Sequence, residues 1–143
     1  MASDTDKIRN TISNYAIALD DKNWALLEEV FTTDCEICYP QPLGTLRGLQ
    51  TTKDTLSHTI GHLSTQHALS TQVINVTDKG TATATTYITA SHFLDDRSFV
   101  SMGKLCDTLV NISDDLNNAQ WRISTREVGL QGVPQGDWSL LRI

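Results

Sequence analysis

The stretch Thr81-Ala82-Thr83-Ala84-Thr85-Thr86-Tyr87-Ile88-Thr89-Ala90-Ser91-His92-Phe93-Leu94 decides the fold. Thr81, Thr83, Thr85 and Thr89 alternate with Ala82, Ala84, Ile88 and Ala90. Successive side chains of a strand point to opposite faces, so this alternation predicts one long strand with a hydroxyl face and a small apolar face. Upstream, Gln66 to Thr77 is rich in β-branched residues, and Asp78-Lys79-Gly80 is a hairpin turn signal. Downstream, Asp95, Asp96 and Arg97 mark a turn, Ser98 to Ile112 reads as a third strand, Asp114 to Asn118 as a polar turn and Trp121 to Val128 as a fourth strand. The second half of the chain is therefore an antiparallel meander. The tail from Gly129 to Ile143, with Gly132, Pro134 and Gly136, is expected to be an irregular cover.

The first half is helical. Ile8, Ile12, Tyr15, Ala16 and Leu19 recur at helical spacing, with capping oxygens at Ser3 to Thr5. Asp20 to Asn23 breaks the pattern. A second, short helix carries Trp24, Leu27, Val30 and Phe31 on one stripe and ends at Thr33 and Asp34. Cys35 to Tyr39 reads as a short strand stopped by Pro40 and Pro42, and Gly44 and Gly48 bracket a turn. A third helix is expected from Leu49 to Leu63, with Leu56, Ile60 and Leu63 inward. Helices followed by a meander define an α+β domain spanning residues 1–143. A long curved sheet wrapped around the helices leaves a cone with an open mouth, a natural site for a small apolar ligand.

With 143 residues, one core is the expectation. Eleven Lys and Arg against 17 Asp and Glu give a formal net charge of −6. Nucleic acid and anionic membrane surfaces call for clustered cations, so neither is an expected partner. No apolar stretch is long enough to cross a bilayer, and no basic start followed by an apolar run is seen near Met1. Three cysteines cannot all pair with one another, and a reduced, cytoplasmic setting is expected. Cys35 and Cys38 form a C-x-x-C, but on a strand residues three apart face opposite ways, which speaks against a redox or zinc pair. The sequons at Asn75 and Asn111 are read as accidental in such a setting.

Four histidines carry the chemistry to be weighed. His58 and His62 lie four apart on the expected third helix, but a zincin site needs a Glu beside the first His and a third ligand, and Thr59 stands there instead. No metal is expected. His67 begins one strand and His92 ends the next, each sharing parity with apolar residues, and Asp20 closes the first helix. Singly, each is best read as a hydrogen-bonded residue at the end of its element. Together they offer a carboxylate that orients an imidazole, as general acid–base work requires.

Tyr15-Ala16-Ile17-Ala18-Leu19-Asp20-Asp21-Lys22-Asn23-Trp24 resembles the first-helix signature of the SnoaL-like proteins, cone-shaped α+β barrels of the nuclear transport factor two-like superfamily. Thr65-Gln66-His67 resembles their strand-opening motif and Trp121-Arg122-Ile123 their last-strand motif. The catalytic pattern is most similar to that of scytalone dehydratase, which implies Asp20, His67 and His92 as catalytic residues and Tyr39 as the group that polarises a substrate carbonyl. In two places the chain departs from the pattern: Leu19 stands where that family has a tyrosine before its Asp, and Asp107 falls near its later Asn. The Asp–Arg–Asp set of limonene epoxide hydrolase finds no match.

The resemblance implies a cofactor-free dehydratase, isomerase or cyclase for a small, largely apolar, carbonyl-bearing intermediate of polyketide or terpenoid type, working as a homodimer joined through the outer sheet face. His67 is expected to move the proton. His92, paired with Asp20, is expected to bind and protonate an oxygen. Asp107, which shares parity with Leu105 and Leu109, is expected to be a buried carboxylate lining the pocket, with Arg126 as a further substrate-binding candidate. The rival readings are a ligand carrier or dimerisation module of the same fold, and a cyclase working through a lone Asp.

Overall fold

The computed structural model describes residues 2–78, 80–115 and 117–143. Helix α1 runs Asp4–Asp21. Ser3 caps it by accepting from the Asp6 N–H at 3.1 Å, and Asp4 and Asp6 place negative charge at the positive end of the helix dipole. Its buried face is Ile8, Ile12, Tyr15 and Leu19, as their spacing predicts. A single 3-10 segment, Trp24–Glu29, follows.

The short-helix expectation is corrected at its end. Phe31 already opens strand β1, Phe31–Cys38, so Thr33 and Asp34 lie within a strand rather than closing a helix. Phe31 pairs with Ile123 of the last long strand, and the β-branched Val30 and Thr32 beside it suit extended backbone better than a further helical turn. Cys35 is buried and Cys38 exposed, on opposite faces. The turn expected between Gly44 and Gly48 contains a short strand, β2 (Thr45–Arg47), antiparallel to β1. Helix α2 spans Leu49–Ile60, three residues shorter than expected. His58 is exposed on it, while His62 lies beyond its end and donates from Nε2 to the Leu140 carbonyl at 2.9 Å, so the two do not share a helix face.

Strands β3 (Ser64–Asp78), β4 (Thr81–Leu94), β5 (Arg97–Asn111) and β6 (Trp121–Leu130) form the meander. Lys79, in the first expected turn, and Leu116, in the third, lie outside the described residues. The tail is more ordered than its glycines and proline imply: Gln135–Gly136 forms β7 against β5, and Trp138–Leu140 is a 3-10 turn. Gly136, at φ 99°, sits where a Cβ would meet the Ser98 carbonyl oxygen, so the contact with β5 requires glycine. The strand order is β2-β1-β6-β5-β4-β3, with β1 and β6 parallel and the other neighbours antiparallel, and the sheet is not closed. Ala82, Ala84 and Ile88 of β4 are buried with Leu105, Leu109 and Ile123 from the neighbouring strands and with the inner face of α1, as the Thr/Ala alternation predicts.

Candidate active site

The end of α1 and the start of β3 meet at Asp20. Its carboxylate accepts from His67 Nδ1 at 2.7 Å, from the Thr65 hydroxyl at 3.0 Å and from the His67 backbone N–H at 3.0 Å. Burial pushes the Asp20 carboxyl up, but the His67 and Thr65 hydrogen bonds outweigh it and hold the carboxyl below its ordinary range. A carboxylate only accepts, so Nδ1 of His67 carries a proton, and Nε2 is the ring nitrogen not engaged by Asp20.

His92 is placed differently from expectation. Its Nδ1 donates to the Phe99 carbonyl at 3.0 Å, and its ring lies edge-on to His67 with centroids 5.8 Å apart. Asp20 is thus the partner of His67 and not of His92. The cause is the register of the hairpin: His92 faces Phe99 across β4 and β5, close enough for the ring to bond the backbone there. Burial, with smaller effects of the His67 and Lys22 charges, lowers His92 to about 4 despite the Phe99 bond. It is neutral at pH 7, and its bare Nε2 can accept a hydrogen bond but has no proton to give.

Both histidines line a cavity of about 500 Å³. Ile88, Ala90, Phe99, Gly103, Leu105 and Val128 form much of its sheet wall, where small Ala90 and Gly103 leave room. The Pro40–Leu43 loop and the tail, through Pro134, Trp138, Leu141 and Ile143, line it further. Among the described residues, no Asp, Glu, Lys or Arg lines it. Of the polar residues that line it, His67, His92, Tyr15 and Tyr39 lie together, and Ser101, Thr59 and Gln41 also contribute to the wall.

Tyr39 lines the cavity, and its hydroxyl lies 2.8 Å from that of Tyr15. Burial pushes both phenols up, so both stay protonated. One hydroxyl donates to the other, which leaves the accepting one with its own proton to offer a ligand. Tyr15 reads in the sequence as one more core position of α1, which is why its site role is not legible there. It stands one turn before Leu19, so the chain brings a tyrosine into the cavity from a different position of the same helix.

Asp107 and Arg126 do not line this cavity, which corrects the expectation for both. Asp107 is buried, as its parity predicts, but it pairs with Arg126: Nε lies 2.6 Å from Oδ1 and Nη2 3.0 Å from Oδ2. Burial works against the Arg126 charge, and Asp107 more than restores it, raising the guanidinium above its ordinary value. A register shift against β5, between Thr108 and Leu109, turns Arg126 inward although Ile123 also faces in. The pair lies behind the tyrosines, with the guanidinium carbon 4.3 Å from the Tyr15 ring centroid.

This architecture belongs to a known class. The chain matches the family model of the SnoaL-like domain over residues 1–127 and is a member of that family. A Novosphingobium aromaticivorans protein named for scytalone dehydratase superposes with a TM-score of 0.77 at 24% identity, over 91% of this chain and 85% of that one. An aromatic-ring-hydroxylase-named protein of the same organism superposes with a TM-score of 0.81 at 15% identity, over 98% and 99% of the two chains. A hexachlorocyclohexane dehydrochlorinase of Novosphingobium barchaimii gives a TM-score of 0.74 at 14% identity, over 90% and 87%. These likenesses establish the fold, which is shared by proteins named for a dehydratase, a hydroxylase and a dehydrochlorinase. No curated protein matches the chain.

Proposed function

We propose that the protein is a cofactor-independent acid–base enzyme, a lyase or isomerase of dehydratase or cyclase type. Its substrate is a small, largely apolar, carbonyl-bearing natural-product intermediate of polyketide or terpenoid type. The observation that carries this reading is the Asp20–His67 hydrogen bond, which bares His67 Nε2 to an uncharged cavity shared with the Tyr15–Tyr39 pair.

In the dehydrating form, His67 Nε2 takes a proton from the carbon beside the substrate carbonyl. The C–H electrons form the new double bond, and negative charge builds on the carbonyl oxygen, where the tyrosine pair donates. The C–O bond of the β-hydroxyl breaks, and the proton held by His67 leaves with that oxygen as water. Asp20 stabilises the imidazolium formed in between. His92 Nε2 accepts from a substrate hydroxyl and so orients it. This assigns His92 a binding role and gives the proton traffic to His67 alone. In an isomerase or cyclase the same base returns or redirects the proton. A positioned base supplies about 10²–10⁴-fold.

The reading includes a homodimer in the cytoplasm. Support for the dimer comes from the outer sheet face, where Val73, Tyr87 and Met102 expose apolar side chains. Sedimentation velocity tests it.

The activity is tested with a panel of neutral β-hydroxy ketones in deuterated water, followed by NMR for α-proton exchange and by mass for loss of water. Wild type is expected to accelerate both, and His67→Ala to abolish the acceleration. Binding of panel members with no exchange and no water loss would make the protein a carrier instead.

A further inference from the structure

Helix α1 ends on a residue that should not be there on conformational grounds alone. Lys22 has φ 56° and ψ 32°, the left-handed conformation that glycine or asparagine normally supplies at a helix end. A lysine there costs backbone strain of about 1 kcal/mol. Its backbone N–H closes the helix onto Ala18 and Leu19, which a glycine would do equally well.

The side chain does something a glycine cannot. It doubles back so that Nζ donates to the Leu19 carbonyl at 3.0 Å and to the Thr65 hydroxyl at 2.8 Å. Thr65 in turn donates to Asp20 Oδ1 at 3.0 Å, and that same oxygen receives His67 Nδ1–H. An ammonium group has no lone pair, so Thr65 can only accept from Lys22. The single Thr65 proton is therefore directed at Asp20. The order of donation runs from Lys22 through Thr65 to Asp20, with His67 donating from the other side. Lys22 is also partly desolvated, and its charge lies close enough to interact with Asp20.

We infer that Lys22 and Thr65 are positioning residues for the Asp20–His67 pair: the ammonium fixes the Thr65 hydroxyl, and the hydroxyl fixes the carboxylate that orients the imidazole. The inference rests on the proposed acid–base role of His67, and it explains why a strained lysine occupies this helix end. It makes the site a four-residue chain whose outermost member reaches no substrate.

The test is a double-mutant cycle with Lys22→Gly and Thr65→Val. Lys22→Gly keeps the backbone conformation and relieves its strain, so the melting temperature is expected to hold or rise. Its kcat is expected to fall about tenfold with KM little changed, by analogy with the loss of a group that orients a metal-bound His. Thr65→Val should lose a similar factor, and the double variant should be no slower than Thr65→Val, because both act through one chain. Lys22→Arg should recover part of the loss.

A second readout needs no substrate. In protein carrying ¹³C-labelled Asp, the Asp20 carboxyl titration should move to higher pH in Lys22→Gly and Thr65→Val. His67 and Thr65 from β3, His92 from β4 and Lys22 itself are the polar and titratable groups acting on it. An unmoved Asp20 titration, additive losses in the cycle, or a kcat of wild-type size in Lys22→Gly would overturn the inference. A shifted titration in a protein that turns over no carbonyl substrate would leave the positioning chain standing and remove the proposed reaction.

Discussion

The Arg126 guanidinium carbon stands 4.3 Å from the centroid of the Tyr15 ring while its Nε and Nη2 grip Asp107. Both charged side chains are fully buried, and Arg126 Nη1 has no hydrogen-bond partner among the described residues. A buried cation is thus fixed against the ring of Tyr15, whose phenol meets Tyr39. The charge favours the hydroxyl pair as donors without entering the cavity, because a full cation there would instead select anionic ligands.

Breaking this pair from one side should be severe. Asp107→Ala strands a buried guanidinium and is expected to lose about 3–5 kcal/mol of stability in urea denaturation. Replacing both partners with apolar residues of similar size, Asp107→Leu with Arg126→Met, should recover most of that loss. Turnover should stay low in the double variant, because the tyrosines no longer sit beside a cation.

His67→Ala separates chemistry from architecture. Turnover is expected to fall about 10²-fold or more if His67 carries the proton. Loss of the side-chain bond to Asp20 should lower stability by only about 1–3 kcal/mol, as for a hydrogen bond to a charged group. Turnover and melting temperature measured on the same preparation decide it: a variant that keeps most of its turnover while melting several degrees lower moves His67 to a structural role.

His92 predicts a pH dependence of stability. Its folded-state value of about 4 lies below the ordinary 6.5, so between those values the unfolded chain binds the extra proton. Stability from this group is complete above about pH 6.5 and is lost as pH falls toward 4. The full loss is on the order of 3 kcal/mol. Asp20, depressed below its ordinary value, adds a loss of the same sign at lower pH. Urea midpoints of wild type should drop between pH 7 and pH 4.5, and His92→Gln should flatten that interval.

Dialysis against a chelator should leave turnover unchanged, since the proton transfer proposed for His67 needs only Asp20 to orient it. Lost activity that zinc restores would point instead to a metal held at His58, His62 or elsewhere.

The fold was legible wherever side-chain period mattered. The Thr/Ala alternation placed β4 to the residue, and the Ile8, Ile12, Tyr15 and Leu19 spacing gave the buried face of α1. It was illegible where pairing with distant chain overrode local preference. Phe31 looked helical beside Leu27 and Val30, yet Ile123 draws it into the sheet. Gln135 and Gly136 form a strand only because β5 offers an edge. In the site, the residue types came from the resemblance, but ring directions did not. Which histidine receives Asp20 depends on Thr65 and the β3 backbone on one side and on the Phe99 carbonyl on the other. Likewise, the mutual pairing of Asp107 and Arg126 follows from a register shift that no periodicity announces.

Trp138 gives the cavity a built-in reporter. Of the three tryptophans, it alone lines the cavity, and 59% of its surface is open to solvent, whereas Trp121 is buried and Trp24 packs against the core. A molecule that settles in the mouth must displace water from this indole, and its emission should shift to shorter wavelength or be quenched. Compound collections can therefore be sorted by intrinsic fluorescence before any product is known, with Trp138→Phe, which keeps the emission of Trp24 and Trp121, as the control.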